Sequence, residues 1–138
     1  MKLNTRRLEE QDYSTLCKWW EDWGFKPIPK DFLPENGTGG IMILDKDIPV
    51  CAGFLYTSNA KLAYINFIIS NKQYRKKPHR TNAIELLLNS LITICNNTGL
   101  KYIYANNNNK YLIKHFEKLG FNKTTNNMTE LIKIISWE

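Results

Sequence analysis

Between Ser70 and Leu91 the chain reads SNKQYRKKPHRTNAIELLLNSL, and five cations, Lys72, Arg75, Lys76, Lys77 and Arg80, stand directly ahead of an apolar helical repeat. No acidic residue occurs between Asp47 and Glu85 to neutralise them. Cations sit badly at a helix start, where unpaired N–H groups and the dipole are already positive. The arrangement calls for an anion: cofactor phosphates, nucleic acid, a membrane surface or, failing these, plain solvation by water. Nucleic acid has only the charge in its favour. There is no zinc-finger spacing, no helix-turn-helix pattern and no basic stripe along the helix, where Glu85, Asn89 and Ser90 follow.

A second group with chemical potential is WWEDWGFKPIPKDFLPE, Trp19 to Glu35, where Glu21, Asp22, Asp31 and Glu35 are interleaved with aromatic rings. Carboxylates beside aromatic faces suit an ammonium group. Packing explains part of the same pattern, because Tyr13, Leu16, Cys17 and Trp20 fall on one helical face; Trp19, Trp23 and Glu21 stay open between packing and a site. Asn66 and Ser70 are polar residues within one strand, and simple alternation puts both on the face of Tyr64 and Ile68. Cys17, Cys51 and Cys95 are odd in number, far apart and without CxxC spacing, so they read as core thiols, with neither a disulfide framework nor a metal expected.

The elements that position these residues follow from periodicity. A strand over Lys2 to Arg6 precedes a helix from Glu9 to Trp23, and Gly24, Pro27, Pro29 and Pro34 then impose a loop. Three antiparallel strands are predicted at Gly40 to Leu44, Val50 to Thr57 and Leu62 to Ser70, joined by the short polar turns DKDIP and SNAK. Ile84, Leu87, Leu88, Leu91, Ile94 and Cys95 repeat at helical intervals and predict the longest helix, Arg80 to Thr98, closed by Gly99. A later start, with Asn82 as N-cap and Glu85 at its third position, is the competing geometry. KYIYA, Lys101 to Ala105, reads as a strand, and a last helix runs from the N-cap Asn109 to Leu119, stopped by Gly120. Strands at Phe121 to Thr125 and Met128 to Ile135, turned at Asn126-Asn127, complete the pattern. Only the unit from Leu62 to Ala105 needs a parallel crossover.

With 138 residues, a 43% hydrophobic share and 23% charged residues, the chain reads as one globular domain spanning 1–138. The opening MKLNTRRLEEQ lacks an apolar export core, and no run approaches the ~20 apolar residues of a membrane span, so a cytoplasmic protein without a membrane partner is expected. A net charge of +6 suits an anionic partner, and serves solubility as well.

The element order, together with NKYLIKHFEKLGF (Asn109 to Phe121), resembles the GNAT superfamily of acyl-CoA-dependent N-acetyltransferases. The family's late helix reads Asn, variable residues, an aromatic, Glu-Lys-Leu-Gly-Phe, and Asn109, Phe116, Glu117, Lys118, Leu119, Gly120 and Phe121 occupy those places. TRRLEEQDYSTLCKWW looks like the family's first strand and helix, and LPENGTGG, VCAGFLYT and MTELIK are similar to small phage-type members. The family's pyrophosphate loop, Arg or Gln, two variable residues, Gly, one variable, Gly or Ala, falls on Arg75, Lys76, Lys77, Pro78, His79 and Arg80, and neither small residue is present. Pro78 gives no N–H, yet it suits a helix's first turn, and lysine or arginine can replace backbone donors by charge-assisted hydrogen bonds.

The resemblance implies an α+β fold, a mixed, mostly antiparallel sheet with helices on both faces, and acetyl transfer from acetyl-CoA to a primary amine of a small molecule or peptide. It implies cofactor contacts at Ile68, Ile69, Ser70, Arg75, Lys76, Lys77, Pro78, His79, Arg80, Thr81, Asn109 and Phe116. A backbone N–H near Ile68 or Ile69 would hold the oxyanion. Many members carry a tyrosine at the position of Phe116 to protonate the departing thiolate, which phenylalanine cannot do. His115, about 100° round the helix, is expected to be exposed and not to substitute. Glu21, Tyr64 and Tyr104 are the candidates for the base. A GNAT-shaped CoA-binding protein without activity, and a basic nucleic-acid-associated module without sequence specificity, are the alternatives; a homodimer is a further expectation.

Overall fold

The computed structural model describes residues 2–136. Five strands form one sheet in the order of the chain: β1 (Leu3–Arg7), β2 (Gly40–Asp45), β3 (Ile48–Thr57), β4 (Leu62–Ser70) and β5 (Tyr102–Ala105). Neighbours pair antiparallel through β4, whereas β4 and β5 run parallel, as the intervening helix requires. The helices are α1 (Asp12–Asp22), α2 (Lys77–Asn97) and α3 (Lys110–Lys118), and two 3-10 turns, Lys30–Phe32 and Pro34–Gly37, follow α1.

Helices cover both faces. On one face α1 sets Leu16, Trp19 and Trp20 against Met42, Ala52, Phe54 and Ile69; on the other, α2 and α3 set Leu87, Leu88, Leu91, Leu112 and Phe116 against Ile43, Val50, Cys51 and Ile65. Each large apolar side chain so buried contributes about 1.5–3 kcal/mol. At the start of α1 the buried Asp12 takes two bonds from Arg6, at 2.7 and 3.0 Å, and one from the Glu9 N–H at 2.7 Å, which fixes the helix to β1. Glycine ends the other two helices: Gly99 and Gly120 adopt φ of +75° and +95°, and the N–H groups of Leu100 and Phe121 return to the Cys95 and Phe116 carbonyls.

Three expectations are corrected here. Helix α2 begins at Lys77, three residues ahead of Arg80, because Pro78 is preorganised for a first turn and costs no hydrogen bond there; the later start at Asn82 does not occur. Helix α1 is shorter than Glu9 to Trp23: the residues before it form tight turns, the Asp12 and Tyr13 N–H groups bonding the Glu9 and Glu10 carbonyls three residues back, and Trp23 is its C-cap. The two closing strands, 121–125 and 128–135, are not formed among the described residues. Apolar character alone does not make a strand; a neighbour must take its backbone groups, and β5 has none beyond β4. Met128, Leu131, Ile132, Ile134 and Ile135 are consequently exposed.

Candidate active site

Strands β4 and β5 pair from Leu62↔Tyr102 to Ile65↔Ala105, so among the described residues the second half of β4, Asn66 to Ser70, has no partner on its β5 side and the sheet opens there. The opening starts at a β-bulge. Ala52 faces Ile69 and Phe54 faces Asn66, which leaves Phe67 and Ile68 together opposite the single residue Gly53. Phe67 takes φ +55°, a conformation that non-glycine residues rarely adopt. A Cβ on Gly53 would meet Ile68 Cγ1 at 3.2 Å and Leu87 Cδ2 at 3.3 Å, so a side chain at residue 53 would press on the bulge. The bulge also resets alternation and corrects the expected facing. Asn66 lies opposite Phe54 on the α1 face, whereas Ser70 lies opposite Cys51 on the α2 face, so the two do not share a side. The Ser70 carbonyl accepts from Trp23 Nε1 at 2.8 Å, tying the end of α1 to the end of β4.

The basic stretch is divided among three tasks. Lys72 sits at the negative end of α1, bonded to the Asp22 carbonyl at 3.2 Å and stacked over Trp23. Lys76 lies 3.7 Å from the buried Asp45, which also accepts from the Tyr74 hydroxyl at 2.7 Å, and His79 Nδ1 stands 3.4 Å from that hydroxyl. The Tyr74 bond, against the opposing effect of burial and with help from Lys76, lowers the Asp45 pKa. This cluster anchors the loop ahead of α2. Arg75 is exposed. Arg80 is half-buried, and its Nε is fully buried without a hydrogen-bond partner among the described residues. The Arg80 N–H is used by the Lys76 carbonyl, and Pro78 has none, so the backbone donors left at the helix start are those of Lys77 and His79.

Helix α3 reaches the same end of the sheet. Asn109 caps it as expected, its Oδ1 accepting from the N–H groups of Tyr111 and Leu112 at 3.0 and 3.2 Å. Thr81 and Tyr111 share a 2.9 Å hydroxyl contact that joins the starts of α2 and α3. Phe116 is core, edge-on to Phe121 at 4.9 Å. His115 is buried rather than exposed, because Glu85 of α2 takes its Nδ1 at 3.2 Å and the Tyr111 ring packs edge-on at 4.7 Å.

No protein-family model matches the sequence, and no curated protein does. Solved structures do match in three dimensions. The ribosomal-protein-S18-alanine N-acetyltransferase of Escherichia coli superposes with a TM-score of 0.71 at 18% identity, over 90% of this chain and 80% of that one. An acetyltransferase of Trypanosoma brucei gives 0.69 at 16% identity, over 95% and 100%. N-acetylglutamate synthase of Neisseria gonorrhoeae, solved with coenzyme A and L-arginine, gives 0.71 at 15% identity over 93% of this chain and 29% of its own. The fold is that of the GNAT acetyltransferases.

Within this GNAT fold the candidate bases are placed unequally. Tyr64 and Tyr104 are paired neighbours on β4 and β5, 5.6 Å between ring centroids, at the head of the opening. Glu21 is exposed on α1 and makes no ion pair or side-chain hydrogen bond among the described residues. Burial, then the charge of Glu130 and the neighbouring Tyr104, raise the Tyr64 pKa, so its hydroxyl stays protonated at neutral pH and is a donor, bonded to Asn106 Oδ1 at 2.7 Å. Trp19 is core, Trp23 is exposed beside Ser70, and Glu35 is paired with Arg7. Sequence reasoning missed the bulge and the rings of Phe32, Tyr56 and Phe67. A glycine inside the strand VCAGFLYT was the available signal for the bulge. Two surface hollows of about 270 and 210 Å³ lie elsewhere, beside Ile92 to Ile103 and along the outer side of α3. Among the described residues no helix is long and apolar enough to cross a membrane.

Proposed function

We propose that this chain transfers an acetyl group from acetyl-CoA to a primary amine, and the observation that carries the reading is the bulged, half-unpaired strand β4. An unpaired strand edge offers backbone donors and acceptors to an extended amide-bearing ligand, as a neighbouring strand would. The bulge takes Phe67 and Ile68 out of regular pairing while Ile69 stays opposite Ala52, which suits the Ile68 N–H to hold an oxyanion. Acetyl-CoA fits the donors present: the unpartnered, buried Arg80 Nε and the free N–H groups at the start of α2 match pyrophosphate. The neighbour solved with coenzyme A supports the same cofactor.

Acetyl-CoA supplies the activated thioester; the chain supplies position and polarity. Ile68, Ile69 and Ser70 lie on the open half of β4, Arg75 and Lys76 in the loop ahead of α2, and Lys77, Pro78, His79, Arg80 and Thr81 in its first turns. Asn109 orders the neighbouring helix, and Phe116 acts through packing, so proton transfer to sulfur falls to water or another hydroxyl. The protonated Tyr64 suits donation better than the base's role, and Tyr104 is its neighbour. The test is release of free CoA thiol with acetyl-CoA and a panel of primary amines. Amine-dependent release is expected. Binding of acetyl-CoA without release for any amine would favour the binding-protein reading, to which the buried Phe116 and the missing loop glycines lend weight.

A further inference from the structure

On the α1 face, directly beside the opening, three tyrosines from three strands stand in one row. Tyr56 is paired with Tyr64 across β3 and β4, and Tyr64 with Tyr104 across β4 and β5; the centroid spacings are 5.8 and 5.6 Å. Phe67 of the bulge extends the row from Tyr56 at 6.4 Å, and Phe32 packs edge-on to Phe67 at 5.8 Å. Helix α1 packs on Met42, Ala52, Phe54 and Ile69 and leaves both ends of the row uncovered: Phe32 and Tyr104 are 45% and 42% exposed. Two of the hydroxyls are pinned at their tips, Tyr56 to the Phe32 carbonyl and Tyr64 to Asn106, so those two rings are held still. Fixed, electron-rich faces attract cations. One lysine already uses this chemistry nearby, since Lys101 Nζ lies 5.3 Å from the Tyr102 ring centroid; no lysine or arginine does so over Tyr56, Tyr64 or Tyr104 among the described residues. Glu130 brings negative charge to Tyr64 in the middle of the row, and the exposed Asp31 precedes Phe32 at one end, while Lys101 lies over Tyr102 beyond the other.

We propose that the acceptor is a diamine or polyamine, whose second ammonium group rests on the Tyr56–Tyr64–Tyr104 row while the first nitrogen is acetylated. This rests on the acetyl-transfer reading and names its substrate class. The reacting nitrogen must be neutral to attack. Aromatic faces and carboxylates stabilise the protonated amine, so a lone amine bound there is held in its unreactive form; a second ammonium group gains the attraction without that penalty. In the step itself the amide C–N bond forms as the thioester C–S bond breaks, the nitrogen gives one proton to solvent, and the thiolate takes one up. No redox partner is needed.

The test pairs binding with turnover. Calorimetry measures putrescine, spermidine and the matched monoamine butylamine on wild type, Tyr104→Leu, Tyr104→Phe and Glu130→Gln, and thiol release is followed with the same amines. Tyr104 is exposed and outside the core, and circular dichroism checks that each variant is folded. The expected result is di- and polyamine binding about tenfold tighter than butylamine, weakened about three- to tenfold by Tyr104→Leu, retained by Tyr104→Phe and reduced by Glu130→Gln, with a parallel preference in kcat/KM. Equal affinity for mono- and diamines, or no effect of Tyr104→Leu, overturns the proposal even where acetyl transfer is seen. Diamine binding with the expected Tyr104 dependence but no binding of acetyl-CoA would instead reject the transfer reading and leave the amine site standing.

Discussion

Arg80 is the residue on which the cofactor reading can be tested most locally. A guanidinium Nε buried without a partner costs free energy in the free protein, and an anion at the start of α2 would relieve it. Charge-assisted hydrogen bonds contribute about 1.5–3 kcal/mol, so Arg80→Ala should weaken acetyl-CoA binding by roughly tenfold or more. Raising salt should weaken binding to wild type more than to the variant, and equal affinities of the two proteins in titrations at low and moderate salt would show that this is no phosphate site. Phe116 belongs to the core, and its removal as Phe116→Ala should cost about 3–5 kcal/mol in denaturant unfolding. Phe116→Tyr should leave transfer unchanged or raise it; a severe loss in a folded variant would mean that Phe116 itself shapes the reacting site.

At the scale of elements, the bulge in β4 is the feature most exposed to a single change. Gly53→Ala would press a methyl against Ile68 and Leu87, at 3.2 and 3.3 Å, and so against the bulge itself. The expected outcome is a fall in kcat larger than any change in acetyl-CoA affinity, read from steady-state kinetics beside a binding titration; unchanged kcat would detach the bulge from the chemistry. The bulge marks where sequence reading stopped. Strands, helices and their order follow from periodicity, and the α3 cap from Asn109, because each depends on residues close in sequence. The bulge depends on Gly53 meeting Phe67 and Ile68 from another strand, so alternation misplaced Ser70 relative to Asn66. His115 looked exposed because its burial comes from Glu85, thirty residues away, and the segments 121–125 and 128–135 looked like strands because pattern does not reveal whether a neighbour is available.

For the whole molecule, charge acts on stability as well as on binding. Burial opposes ionisation of Asp12, but the Arg6 pair and the Glu9 N–H more than offset it and lower its pKa; Lys118, opposed by burial and aided by His115, lowers that of Glu85. Folded values below the unfolded ones mean stability that is present above the ordinary carboxylate range and lost as pH falls through the folded values, below about 4. The urea midpoint should therefore drop between pH 7 and pH 3, and Asp12→Asn should show a smaller drop from a lower starting point; equal pH dependence in both proteins would remove Asp12 from the effect. The central claim, that this GNAT fold is built around acetyl-CoA, is tested most directly by thermal unfolding with and without that ligand. At a concentration one hundred times Kd, binding should stabilise the fold by about 2.7 kcal/mol, seen as a rise in Tm that CoA reproduces. An unchanged Tm at millimolar acetyl-CoA and CoA would contradict it.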